Sequence, residues 1–221
     1  MAEKIMKPIE AAAPYTKASL ERLQAMEQAL RSVDSNRLEG DIVECGVWQG
    51  GHIILARKVS PNRRCWLFDT FNGMVKPGEE DTKRDGGSAL AKWSRKSANG
   101  QLWVACSVEQ VTRNLMATGT YHPILCRFMV GDVCTVLRLP DIDLPEKIAV
   151  LRLDTDWYAS TKTELEVLWP RVVPGGFIII DDYGHWLGAR KAAQEYFKKH
   201  YPAYWRELKP VDYTAVMMQK L

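Results

Sequence analysis

Acidic residues close two apolar runs of this chain, and that placement can do chemistry. Leu151-Arg152-Leu153-Asp154-Thr155-Asp156 ends one run, and Phe177-Ile178-Ile179-Ile180-Asp181-Asp182 ends another. If the runs are neighbouring parallel strands, the carboxylates of Asp154, Asp156, Asp181 and Asp182 meet in one place. With the chain extended through residue 156, Asp154 and Asp156 point the same way, because side chains alternate along a strand. Unit charges about 4 Å apart repel by roughly 4 kcal/mol at an effective dielectric near 20. Such a cluster takes up protons or holds a cation. Ligands that are all oxygen favour Mg²⁺, Ca²⁺ or Mn²⁺ over Zn²⁺. Each acid alone has a plainer role open to it, since Asp at a strand end often caps the next helix; Asp156 and Asp182 are both so placed. His185, on the same loop as Asp182, is a candidate base or substrate contact, and equally a surface histidine.

A second constellation lies earlier. Val43-Glu44-Cys45-Gly46-Val47-Trp48-Gln49-Gly50-Gly51 reads as strand, glycine turn and helix start. Gly46 permits a tight turn, and Gly50 or Gly51 lets a ligand approach the backbone. Trp48 stands where a pyrophosphate-binding loop needs a small residue, and the G-K-S/T of a P-loop is missing. Asp69 follows the turn by about twenty residues at a strand end, where a carboxylate can accept two ribose hydroxyls. The pair indicates a nucleoside site. An acid, a glycine and then later glycines is the pattern of methyltransferases that bind S-adenosylmethionine, with Glu44 placed to meet the ligand's ammonium. Asp132, after Gly131 at a third strand end, is a further cofactor candidate.

The elements that must carry these residues follow from periodicity. Leu20, Leu23, Met26, Leu30 and Val33 recur at helical spacing over residues 17–33. Apolar runs at 41–45, 64–68, 124–130, 147–153 and 177–180 predict strands, with weaker strand-like pieces at 205–208 and 215–219. Helices are expected at 52–59 and 188–200, at 107–116 with Ser107 as cap, and after Asp156 with Thr161 and Glu164 in capping-box spacing. Residues 71–100 are rich in glycine and charge; they read as an insertion with one short helix near 88–97, of the kind that serves as a lid. Strands alternating with helices predict a doubly wound, mainly parallel α/β sheet, and a chain of 221 residues is short for a TIM barrel. Ligands of such sheets bind beyond the carboxyl ends of the strands, where the acids stand.

These runs resemble the macrocin O-methyltransferase family, which methylates sugar hydroxyls of macrolides and related natural products. The matching stretches are VECGVWQGG (43–51), FDTFNGM (68–74), LRLDTDWYAST (151–161) and VPGGFIIIDDYGHW (173–186). The resemblance covers about residues 38–200. It implies a class I methyltransferase (Rossmann-like) fold with a seven-stranded sheet, S-adenosylmethionine as cofactor and a requirement for Mg²⁺. Carried across by motif, Asp154, Asp181 and Asp182 are the metal ligands and Asp156 the general base, with His185 as second candidate. Glu44, Gly46, Trp48, Gly50, Asp69 and Asp132 are the cofactor contacts. The sequence departs from the family pattern with Thr155 where Gly is expected and with His52 where a small hydroxyl residue is usual.

Composition bounds the rest. A net charge of +3 is too small to argue for nucleic acid or an anionic membrane. The five cysteines are scattered without a C-x-x-C, and Cys45, Cys65 and Cys126 lie in or beside apolar runs, as buried free thiols do. No leader-like apolar run occupies the N-terminus, and a cytoplasmic setting is expected. We expect an N-terminal helical segment (1–36) and a methyltransferase domain (37–221) acting on a small-molecule or glycan acceptor, with no nucleic-acid or membrane partner and a homo-oligomer left open. A nicotinamide oxidoreductase and a non-catalytic nucleoside-binding protein on a similar fold are the rival readings.

Overall fold

The computed structural model describes residues 7–221; the expectations for the N-terminus fall in part on residues 1–6, outside the described residues. The strands are β1 (Asp41–Cys45), β2 (Cys65–Asp69), β3 (Cys126–Val130), β4 (Ile148–Leu153), β5 (Val172–Ile180), β6 (Lys209–Pro210) and β7 (Val216–Gln219). They form one seven-stranded sheet in the order β3-β2-β1-β4-β5-β7-β6. Its first five strands are parallel, and β7 pairs antiparallel with both β5 and β6. The order reverses between β1 and β4, which opens a crevice at their carboxyl ends.

Alternation along the strands explains the layers. Ile42, Val150 and Ile179 face one way, onto helices α1 (Pro8–Ala12), α2 (Leu20–Ser35) and α3 (Gly51–Val59). Val43, Leu151 and Ile178 face the other way, onto a cluster that includes Leu165, Trp169 and Phe197. The latter come from α7 (Tyr158–Leu168), the turn after it and α8 (Leu187–His200). Because both faces are covered, every residue of β4 is buried. Helices α4 (Ala89–Ala98), α5 (Val108–Ala117) and α6 (Val133–Val136) complete the chain. Met26, Leu30 and Val33 of α2 are wholly buried in this core, so the N-terminal helices pack on their own domain. The free thiols of Cys45, Cys65 and Cys126 are buried in β1, β2 and β3. Among the described residues no helix is long and apolar enough to cross a membrane.

Three expectations need correction. Thr161 and Glu164 do not cap α7: both are buried inside it, and the helix starts at Tyr158. Its first free N–H is taken instead by Asp81, whose Oδ1 accepts from Tyr158 N at 2.8 Å. Residues 205–208 are not a strand. Tyr201, Tyr204 and Trp205 pack against the second core cluster, Tyr204 edge-on to Trp169, and the strand follows at Lys209. The strand expected at 177–180 begins earlier, at Val172, so β5 is longer than its apolar core. The helix inside 71–100 forms as expected, with Ser88 Oγ accepting from Ala91 N at 3.2 Å.

Candidate functional site

On the face covered by α2 and α3, the apolar rows of three adjacent strands end in ionic residues. Ile42 is followed two residues on by Glu44, Val150 by Arg152 and Ile179 by Asp181, all on one side by the two-residue period. Glu44 is the register partner of Arg152 across β1 and β4. The Arg152 guanidinium, 2% exposed, reaches Glu44 Oε1 at 2.7 Å, Asp154 Oδ2 at 2.8 Å and Asp181 Oδ1 at 2.6 Å. Burial alone would lower its pKa; Asp154, Asp181 and Glu44 outweigh that and hold it charged. Arg22 of α2 takes the other Asp181 oxygen at 2.5 Å and also meets Asp212 at 2.9 Å, so helix, sheet and C-terminal loop share one network.

This network bears on the expected ligand set Asp154, Asp181 and Asp182. Asp154, Asp156 and Asp182 bring carboxylate oxygens within 4.8 Å of one another. Asp181 is not among them, because the alternation that puts it on the Arg152 side commits both its oxygens to guanidinium groups. The chain also does not stay extended to residue 156: β4 ends at Leu153, Asp156 takes φ 70°, and Trp157 N donates to Thr155 O. The turn nevertheless delivers both acids to the cluster. Neither Asp156 nor Asp182 caps a helix; Asp156 Oδ2 accepts from Trp186 Nε1 at 3.1 Å.

Burial pushes Asp154 and Asp182 well above the usual carboxylate range, and neighbouring carboxylates push the same way, against Arg152 in the case of Asp154. Asp156 is raised to about 7, by burial first, against hydrogen bonds with Asp182 and Trp186. Three half-buried carboxylates that resist ionising together are a fitting donor set for a hard dication. Asp154 keeps 28% of its side-chain surface exposed, so an ion has access from the crevice.

The crevice has a volume of about 400 Å³ and continues from this cluster to the turn after β1. Glu44, Gly46, Trp48, Asp69, Asp132, Asp154, Asp156, Asp181, Asp182 and His185 all line it. Glu44 Oε2 is buried there without a hydrogen-bond partner among the described residues, and burial raises the carboxyl to about 7 against the pull of Arg152. An orphaned acceptor facing the crevice fits a ligand's ammonium, as a nucleoside-linked amino acid presents. His52 Nε2 is also unpartnered; burial, then Arg152 and Arg22, keep that imidazole neutral.

The glycines have reasons nearer than a ligand. Gly46, at φ 86°, could not carry a Cβ, which would fall 2.0 Å from the Asp154 carbonyl oxygen: the turn after β1 lies directly on the backbone after β4. Gly50, at φ 88°, caps the start of α3 in the left-handed region and lies outside the residues that line the crevice. Asp69 locks the turn: Oδ2 accepts from Val47 N at 2.7 Å and Trp48 N at 3.0 Å, while Oδ1 accepts from Phe71 N at 2.9 Å. Asp132 caps α6 through Cys134 N at 3.0 Å and still lines the crevice.

Arg152, Arg22, Asp212 and Trp186 were missed. Arg152 had a signal, being a lone cation inside an apolar strand. Arg22 and Asp212 had none, lying far from the motifs in sequence. The insertion closes one side of the crevice. Trp103, Trp157 and Trp186 meet edge to face at centroid distances of 5.7, 6.2 and 5.2 Å, with Met74, Val75 and Ala89 against them. Buried Asp81 anchors the segment, accepting from Tyr158 N and Gly78 N. Lys83 bridges to Trp186 through the backbone.

An open doubly wound sheet with a nucleoside-sized crevice and acids at its strand ends is the architecture of a class I methyltransferase. The model of the macrocin O-methyltransferase (TylF) family matches residues 8–220, and the chain belongs to that family. It is 34% identical over 211 residues to the demethyldecarbamoylnovobiocin O-methyltransferase of Streptomyces niveus, covering 93% of this chain and 76% of that one. It is 37% identical over 174 residues to an 8-demethyl-8-(2,3-dimethoxy-alpha-L-rhamnosyl)-tetracenomycin-C 4'-O-methyltransferase of Streptomyces olivaceus, covering 76% of this chain and 62% of that one. The solved O-methyltransferase NovP superposes with a TM-score of 0.77 at 31% identity, over 93% of this chain and 82% of that one. The chain is an S-adenosylmethionine-dependent O-methyltransferase.

Proposed function

We propose that the protein transfers the methyl group of S-adenosylmethionine to a hydroxyl of a sugar or glycosylated small molecule, with a divalent metal in the site. The observation that carries the reading is one crevice that holds an orphaned carboxylate, Glu44, beside the Asp154, Asp156 and Asp182 cluster, with the Arg152 guanidinium between Glu44 and Asp154. Relatives named for methylating glycosylated natural products support the acceptor class.

In this reading Glu44 Oε2 accepts from the cofactor's ammonium, and Asp69 Oδ1, which accepts from Phe71 N and at 3.4 Å from Thr70 Oγ1, accepts also from a ribose hydroxyl. Asp154 and Asp182 would hold the metal, since both the family motif and the observed cluster contain them. Asp181 could join only by giving up a guanidinium contact. A bound dication supplies Lewis acidity and orientation for the acceptor oxygens. Asp156 takes the acceptor proton: its carboxyl is raised to about 7, close to where a general base works at neutral pH, and Trp186 Nε1 fixes one of its oxygens. His185, lowered by burial and then by Lys83 and Lys92, is neutral and serves as an acceptor contact. The hydroxyl oxygen attacks the sulfonium methyl, the carbon–sulfur bond breaks, and S-adenosylhomocysteine leaves with the electron pair. Holding the two reactants in line supplies much of the rate, and the 71–100 segment excludes water as a lid.

The test is calorimetry of S-adenosylhomocysteine and of Mg²⁺ on wild type, Glu44→Gln and Asp182→Asn. The reading expects the ligand to weaken in the first variant and Mg²⁺ to weaken in the second. A wild type that binds neither ligand overturns it.

A further inference from the structure

Over the acidic floor the insertion carries the opposite charge. Lys83 Nζ lies 5.5 Å from the centroid of the Trp186 ring, and Lys92 Nζ lies 4.2 Å from that of Trp103. Those rings are 6.2 Å apart, and Trp186 is the side chain that hydrogen-bonds Asp156. The His185 ring packs edge-on against Trp186 at 4.9 Å. Both lysines are half-buried, and neither forms an ion pair with any of the described residues.

The charges feel each other. Lys92 is held below the usual ammonium range by burial first and then by Lys83 and Lys96, while Asp156 pulls the other way. His185 responds to both lysines, with Asp85 the acid nearest in effect. Two ammonium groups on neighbouring tryptophan faces, neither in an ion pair, are the counterpart in charge of the carboxylate cluster. They are stabilised by an anion that bridges them. A ring face can hold one cation but does not neutralise two. Trp186 joins the two regions, since its Nε1 donates to Asp156 Oδ2 at 3.1 Å while its ring carries Lys83; an acceptor that extends from Asp156 along that ring would bring its far end to the lysines.

We propose that Lys83 and Lys92 form an anion subsite for a phosphoryl group on the acceptor, so that the enzyme methylates a phosphorylated sugar. The proposal rests on the methyltransferase reading above and names its substrate class. Lysine suits the task as a mobile point charge that can follow a phosphate as the insertion closes. The hydroxyl end then lies against the acidic cluster and the phosphoryl end against the lysines. This polarity sets the acceptor's orientation and repels a phosphate from the wrong end.

The experiment uses the full chain in metal-free buffer, with S-adenosylhomocysteine, inorganic pyrophosphate, uridine diphosphate and glucose 1-phosphate as calorimetric probes. Lys83→Met with Lys92→Met keeps the aliphatic stems on the tryptophans and removes both charges; Lys83→Arg with Lys92→Arg keeps the charges. We expect pyrophosphate affinity to fall by about tenfold or more in the Met pair and to hold in the Arg pair. S-adenosylhomocysteine affinity should be the same in all three proteins. Uridine diphosphate binding tighter than glucose 1-phosphate assigns a nucleotide sugar, and the reverse order a sugar monophosphate. Equal pyrophosphate affinity in wild type and Met pair, or none in wild type, overturns the subsite while leaving the methyltransferase reading intact. Loss of S-adenosylhomocysteine binding already in wild type sinks that underlying reading instead.

Discussion

At the floor of the crevice the charges are buried, paired and fixed by strands: Arg152 touches three carboxylates, and neighbouring strands set its position through register. Over the floor, the 71–100 segment holds Lys83 and Lys92 half-buried on tryptophan faces, and of its polar anchors Asp81 is the most enclosed. Chemistry that depends on sub-ångström placement sits where the backbone is least free. Recognition of the acceptor, as proposed, falls to a segment that can change without disturbing the sheet.

The contrast can be broken most sharply at the floor. Asp182→Asn should lower kcat/KM for methyl transfer by about 10³-fold, the scale of a lost metal-assisted step, with an unchanged circular dichroism spectrum. Activity within tenfold of wild type would place the metal elsewhere. Arg152→Met should cost about 3–5 kcal/mol in denaturant unfolding, because Glu44 and Asp181 lose a buried partner. A loss below about 1 kcal/mol would mean that the network relaxes into solvent, against the rigidity claimed for it.

Trp186→Phe tests the seam between floor and insertion. The Trp186 hydrogen bond lowers the Asp156 pKa, which burial holds at about 7; its loss raises that pKa further. A base must be deprotonated to act, so the acidic limb of the kcat profile should move to higher pH, with a loss at neutral pH of roughly tenfold. An unmoved limb would take the base role from Asp156. The smallest effect is expected at Asp81→Ala. Uncapping α7 should cost about 1 kcal/mol in a thermal melt, and the loosened insertion should raise the acceptor KM more than it lowers kcat.

How far the sequence reveals this molecule follows the same division. The acids at the strand ends were legible because an apolar run that stops at Asp is visible without any tertiary knowledge, and so was the alternation of strands and helices. The commitment of both Asp181 oxygens to guanidinium groups was not. It depends on Arg152 and Arg22, and the Arg22 contact spans 159 residues of sequence. Thr161 and Glu164 matched a capping pattern, yet the true cap of α7 is Asp81, 77 residues earlier. The insertion's existence and its helix were legible from composition. The edge-to-face meeting of Trp103, Trp157 and Trp186 was not, because it joins three separate segments.

Asp81 bears on how such an enzyme can be rebuilt. Its Oδ1 serves the start of α7 and presses on Gly188 at the start of α8, where a Cβ would fall 1.9 Å from that oxygen. A lid transplanted from a relative to change the acceptor must therefore bring an acid to this spot, and the recipient must keep glycine at 188. Grafts without the acid should lose the α7 cap, about 1 kcal/mol, and a side chain at 188 beside a retained acid should push the lid away from both helix starts.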